Sequence, residues 1–103
     1  VKTRGTNAWH GSGNVCSDVV YNKTGSGEDA CGFRVAINEP HKPTLYLRVN
    51  LYGSNVGGCR KLGLGKGDFV VINGELMIRM GREEELLEVR GHKISIIKDR
   101  KEG

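Results

Sequence analysis

Thr44-Leu45-Tyr46-Leu47-Arg48-Val49-Asn50-Leu51-Tyr52-Gly53 is the stretch on which the reading of this chain turns. With a period of two it sets Leu45, Leu47, Val49 and Leu51 on one face and Thr44, Tyr46, Arg48, Asn50 and Tyr52 on the other, the pattern of a half-buried strand. The outer face is unusual: two aromatic rings flank a guanidinium and an amide where a solvated sheet ordinarily carries Lys, Glu and Thr. A ring held this way stacks on any nucleobase, and an arginine beside it holds a phosphate or adds a cation–π contact. The strand therefore predicts single-stranded nucleic-acid binding. The competing reading is a plain solvated sheet surface, because Tyr also has a high strand propensity.

Working outward, residues 30–38 alternate Cys31, Phe33, Val35 and Ile37 against Gly32, Arg34 and Ala36, which sends Phe33 and Val35 to a core and Arg34 to the outer face. Glu39-Pro40-His41-Lys42-Pro43 is a loop, since two prolines cannot continue a ladder. Upstream, residues 6–15 form a weak strand in which Gly11 and Gly13 predict a bulge or sharp coil; residues 19–21 continue it past the bend, and residues 22–29 are turn chemistry. Downstream, residues 54–66 hold the one room for a helix, kept short or distorted by Gly57, Gly58, Gly63 and Gly65. Residues 69–72 read as a buried strand, interrupted at Asn73-Gly74 and followed over residues 75–80 by its continuation or by the next strand. A hairpin turn at residues 81–84 leads to a last strand over residues 85–97.

Five strands, glycine bends and a short helical connection between the third and fourth strands describe an all-β OB-fold, a small, partly open Greek-key barrel. That fold binds oligonucleotides or oligosaccharides on the face of its second and third strands, where Arg34, Tyr46, Arg48 and Tyr52 fall.

A chain of 103 residues is long enough for one modest core and too short for a separate catalytic domain. It reads as a single domain over 1–103, with a basic lead over 1–5 and a charged end over 99–103. Against 12 Asp and Glu stand 16 Lys and Arg, a net charge of +4 that suits a polyanionic partner. No apolar run approaches the ~20 residues that span a bilayer, and no signal-peptide core opens the chain. The expectation is a soluble cytoplasmic protein without membrane contact. Cys16, Cys31 and Cys59 form no C-x-x-C and read as plain thiols; with His10, His41 and His92 they match no common metal spacing, so neither metal nor cofactor is expected. Gly63-Leu64-Gly65-Lys66-Gly67-Asp68 hints at a phosphate loop but has no Ser or Thr after the lysine. Glu83, Glu84 and Glu85 read as a solvated turn. No nucleophile–base spacing points to catalytic residues, so the chain is not read as an enzyme.

Three stretches resemble the bacterial and phage single-stranded DNA-binding proteins. Arg4-Gly5-Thr6-Asn7 followed by Gly13-Asn14-Val15 is similar to the family's opening strand, and residues 46–53 to its third. Lys66-Gly67-Asp68-Phe69-Val70-Val71-Ile72-Asn73-Gly74-Glu75-Leu76 followed by Arg79 resembles a third family stretch, so the likeness runs over residues 4–97. It implies sequence-tolerant single-stranded DNA binding in replication, recombination or repair, in a bacterial or phage-infected cell and associated with the nucleoid. It also implies that Tyr46 and Tyr52 stack bases where the family uses Trp and Phe, and that Arg48 contacts the DNA backbone. Arg34 matches an outward polar position, Lys66 and Arg79 match basic positions near the groove, and Arg4 matches one at the basic N-terminus.

Departures from the family pattern sharpen the expectations. Trp9-His10-Gly11-Ser12 replaces the aliphatics of a strand that members often pair between subunits, which makes Trp9 a core or oligomer-contact residue in an implied homo-oligomer, dimer or tetramer. Met77 stands at an often basic position, and the short loop leaves His41 as a substitute at best for a stacking Trp. The family's acidic C-terminal tip, which recruits partner proteins, has no match in this sequence. Two alternatives stay open: an OB-fold accessory subunit of a primosome or recombination complex whose main ligand is protein, and an RNA-binding OB domain.

Overall fold

The computed structural model describes residues 3–98. The charged end expected over 99–103 and Lys2 of the basic lead lie outside the described residues. The strand of alternating Tyr, Arg and aliphatics forms β4, Leu45–Tyr52, between β3, Asp29–Ile37, and β6, Glu85–Ile97. Before them come β1, Trp9–Val15, and β2, Val20–Lys23; between β4 and β6 lie α1, Ser54–Leu62, and β5, Phe69–Met80. The sheet order is β1-β5-β6-β4-β3-β2, and β1 also pairs with β3, so the sheet curls until its ends meet. Pairings are antiparallel except between β4 and β6, which run parallel with Val49 opposite Val89 and Asn50 opposite Arg90. This is the partly closed OB barrel.

Five expected strands become six segments because the first breaks over residues 16–19. β1 pairs with β5 while β2 pairs with β3, so the two pieces act as one bent strand joining both sides of the barrel. The glycine signal in this strand marks closure: a Cβ on Gly13 would meet Val35 Cγ1 at 2.8 Å and collide with the Ala36 carbonyl. Its absence lets β1 cross tightly onto β3, with Asn14 opposite Ala36. The first strand begins at Trp9 rather than at residue 6. Ahead of it the Asn7 side chain donates from Nδ2 to the Leu76 carbonyl at 2.7 Å and accepts from the Leu76 N–H at 2.9 Å, replacing a backbone ladder.

The core gathers Val15, Phe33, Val35, Val49, Leu51, Val70, Ile72 and Val89 from the strands and Val56 and Cys59 from the helix. Local propensity does little for α1. Gly57 and Gly58 each cost about 1 kcal/mol relative to Ala, and no side chain caps its start. Burial of Val56 and Cys59, one turn apart, holds the helix against the barrel.

Three expectations need correction. Leu45, placed with the buried aliphatics, is 52% exposed, because it lies at the outer end of β4 beyond the closed core. Residues 69–72 are not buried throughout: Val70 and Ile72 face the core, whereas Phe69 turns outward and Val71 is half-buried. Asn73-Gly74 does not interrupt β5, which runs through it; a register shift against β6, from Asn73 opposite Lys93 to Gly74 opposite Gly91, absorbs the irregularity.

Candidate nucleic-acid interface

The antiparallel register of β3 and β4 sets Ala36 opposite Tyr46, Arg34 opposite Arg48, Gly32 opposite Asn50 and Ala30 opposite Tyr52. Ala30, Gly32 and Ala36 of β3 are thus small beside the outward residues of β4 they face, and Arg34 alone is large. Tyr46 is 54% exposed, and the Arg34 guanidinium carbon lies 5.5 Å from its ring centroid. Tyr52 is half-buried and carries the Arg90 guanidinium at 5.0 Å. Arg90 reaches it because the parallel seam sets Arg90 opposite Asn50. Between the rings, a Cβ on Gly32 would fall 2.5 Å from Arg48 Nη2 and 3.1 Å from Asn50 Oδ1. The bare glycine is therefore the floor on which the Arg48 guanidinium lies. That contact explains why an outward residue is buried.

The β6 side of this face is organised by Glu88, only 3% exposed. It accepts from Asn50 Nδ2 at 2.8 Å and from Arg79 Nε at 2.7 Å. A carboxylate only accepts, so the Asn50 amide turns its nitrogen to Glu88 and its oxygen toward Gly32. The face offers aromatic surfaces, three guanidinium groups and a fixed amide oxygen, which is chemistry for binding bases and phosphates rather than for bond making.

Residues 7–100 match the Single-strand binding protein family. The chain belongs to that family. Its architecture is similar to the structure of the second single-stranded DNA-binding protein from Mycobacterium smegmatis, with a TM-score of 0.75 and 30% identity over 94% of this chain and 98% of that one. No curated protein sequence gives a significant match. Single-strand binding proteins act on DNA without catalysing a reaction, in replication, recombination and repair. Among the described residues, no helix is long and apolar enough to cross a membrane.

Of the positions singled out by likeness to the family, Tyr46, Tyr52, Arg48 and Arg34 come together on one face. Arg79 stands on the neighbouring hairpin, held by Glu88. Lys66 occupies the turn before β5 with Nζ 3.6 Å from Asp18 Oδ1. The adjacent Ser17 hydroxyl accepts the Arg34 backbone N–H, which ties the segment that Lys66 meets to β3 at Arg34. Arg4 is exposed in the lead, three residues ahead of Asn7, whose side chain bonds Leu76 of β5. Trp9 packs partly against the core and lines a cavity of about 330 Å³ with Ser12, Ile37, Glu39 and Leu45, where β1 and β3 diverge. His41 sits exposed in a turn at φ 62°. Met77 is half-buried opposite Glu88.

The sequence reading missed Arg90, Glu88 and the floor role of Gly32. The period of two through Val89 assigns Arg90 and Glu88 to the outward side, yet only the parallel seam shows that they meet β4. The third tyrosine, Tyr21, belongs elsewhere: it pairs with Cys31 and lies under the Arg60 guanidinium of α1 at 4.4 Å, with burial pushing its hydroxyl pKa up. Cys31 and Cys59 are buried free thiols in mutual contact, and that contact together with burial pushes the Cys31 thiol up.

Proposed function

We propose that the protein holds single-stranded DNA across the β3–β4 face, with bases stacked on Tyr46 and Tyr52 and phosphates against Arg34, Arg48 and Arg90. The observation that carries this reading is the pair of rings, each with a guanidinium beside it, on either side of an arginine laid over Gly32. Each stacked base contributes ~1–3 kcal/mol, and every base has a π face, so binding is sequence-tolerant. Phosphate contacts through arginine release counterions, so affinity falls as salt rises. Lys66 extends the phosphate track past Arg34, and Arg4 serves only a strand long enough to pass β5. Arg79 stands at the border of the track.

Two rings make a small platform, and a homo-oligomer, dimer or tetramer, multiplies the contacts available to one strand. The pairing of β1 with β3 stops at Asn14 and Val15, leaving the Trp9 end of β1 unpaired on that side. That edge, with the Trp9 ring beside it, is the subunit contact in this reading. The protein works on DNA in the bacterial cytoplasm, at the nucleoid, together with replication or recombination proteins.

The test is a titration of the intrinsic Tyr and Trp fluorescence with a ~35-nucleotide dT oligomer at several salt concentrations. Quenching that saturates, and an affinity that drops steeply with salt, is the expected result. Absence of binding at low salt overturns the reading and makes the face a protein-docking surface. Competition by a matched RNA decides between the two nucleic acids.

A further inference from the structure

Glu88 is out of place on a surface that receives a polyanion. Its neighbour Val89 lies opposite Val49 in the parallel seam, so Glu88 stands level with Arg48 at the centre of the outward face. An exposed glutamate there could swing away from an incoming phosphate. This one cannot, because Asn50 and Arg79 grip its two oxygens from opposite sides, at 2.8 and 2.7 Å. The other buried carboxylate among the described residues, Asp68, bonds Lys98 and the Gly65 N–H in the turn before β5, so Glu88 is peculiar to this face.

The grip has an electrostatic consequence. Arg79 keeps its side chain 57% exposed, and the guanidinium N–H groups other than Nε are not taken by Glu88. What it lacks toward phosphate is charge rather than donors, since the carboxylate beside it neutralises the pair. Arg34 and Arg90 lean on aromatic rings instead, and a ring leaves the positive charge in place. Glu75, opposite Arg90 on β5, has His92 at 3.3 Å, so the outward face is divided at Glu88 between arginines that no carboxylate among the described residues holds, Arg34, Arg48 and Arg90, and the paired Arg79.

We propose that Glu88 is a positioning residue that withholds Arg79 from phosphate contact and so confines the DNA backbone to the side of Arg34, Arg48 and Arg90. The proposal rests on the reading of this face as the single-stranded DNA site, and it assigns that site a border.

Glu88→Gln tests it, because glutamine keeps the shape and loses the charge. With a ~35-nucleotide dT oligomer, E88Q binds ~3- to 10-fold more tightly than wild type at low salt, and the slope of log affinity against log salt steepens by about 0.7, the signature of one more phosphate contact on a single strand. The double variant E88Q/R79Q returns to the wild-type slope. An unchanged slope in E88Q, or a steepening that survives in the double variant, overturns the proposal. If E88Q fails to fold, Arg79→Gln alone reads the same border from the other side: an unchanged slope is expected, and a slope flatter by about 0.7 overturns the proposal. Failure of the site itself has a different signature, in which wild type does not bind or Y46A/Y52A binds as tightly as wild type.

Discussion

The β3–β4 half of the sheet and the β5–β6 half both carry arginine outward, and they put it to different use. On β3–β4 the guanidiniums of Arg34 and Arg48 lie against a ring and over a glycine, surroundings that leave the charge available to a phosphate. On β5–β6, Arg79 is held by Glu88 and His92 lies 3.3 Å from Glu75. The halves also differ on the inner side. Val49 and Leu51 are fully buried, whereas the matching stripe of β5 emerges past Leu76 into Ile78 and Met80, the latter 70% exposed. The cause is neighbours: β4 pairs with β6 only around Val49 and Asn50, and β1 pairs with β5 no further than Gly74, so among the described residues the far end of the β5–β6 hairpin is a two-stranded ribbon with no strand beside it. Such a ribbon is marginal by itself. The same alternation of residues makes a binding platform where a third strand supports it and an exposed hairpin where none does.

Removing what both halves share has the largest effect. Phe33→Ala deletes a fully buried ring at the centre of the barrel and should cost about 3–5 kcal/mol in urea unfolding, with binding lost alongside the fold. A destabilisation below about 1 kcal/mol would show that the halves do not depend on a common core.

The next variant acts on the platform alone. Y46A/Y52A should fold normally and bind a dT oligomer more than about tenfold more weakly at fixed salt, read by anisotropy because the quenching rings are gone. Unchanged affinity in a folded double variant would remove stacking from the mechanism.

A finer division follows across the parallel seam. Arg90 comes from β6 but leans on the β4 ring, so it belongs functionally to the platform. Arg90→Ala should flatten the salt slope by about 0.7 and weaken binding a few-fold. Gly32→Val should act on the same side by lifting Arg48 from its floor, with an affinity loss of similar size and little change in secondary structure by circular dichroism.

The smallest effect lies at the edge of the platform half. Lys23 donates to the Asp29 carboxylate at 2.8 Å, and that hydrogen bond and charge hold its pKa below the usual aspartate value. A depressed pKa stabilises the fold above the ordinary aspartate pKa, and the contribution disappears as pH falls through the folded value. Asp29→Asn should therefore melt slightly below wild type at neutral pH, with the gap closing in acid. A gap independent of pH would assign the difference to something other than this pair.

Much was legible in the chain because a strand's alternation is local. Backbone geometry sends successive side chains to opposite faces whatever lies beside the strand, so residues 44–53 alone announced that Tyr46, Arg48 and Tyr52 share one side and that Val49 and Leu51 share the other. The short helix, the hairpin turn at residues 81–84 and the final strand Glu85–Ile97 were equally readable, from glycine placement and apolar period. Contact across strands is not local. Arg90 is 38 residues from Tyr52 in sequence, and only the closing of β6 onto β4 in parallel register brings its guanidinium to that ring. The same closure buries Glu88, and the outer end of β4 leaves Leu45 outside the core despite its apolar side chain. Covalent geometry determined which way each side chain points. The tertiary structure decided what it meets, because burial and charge pairing depend on neighbours that loop closure, and not sequence proximity, supplies.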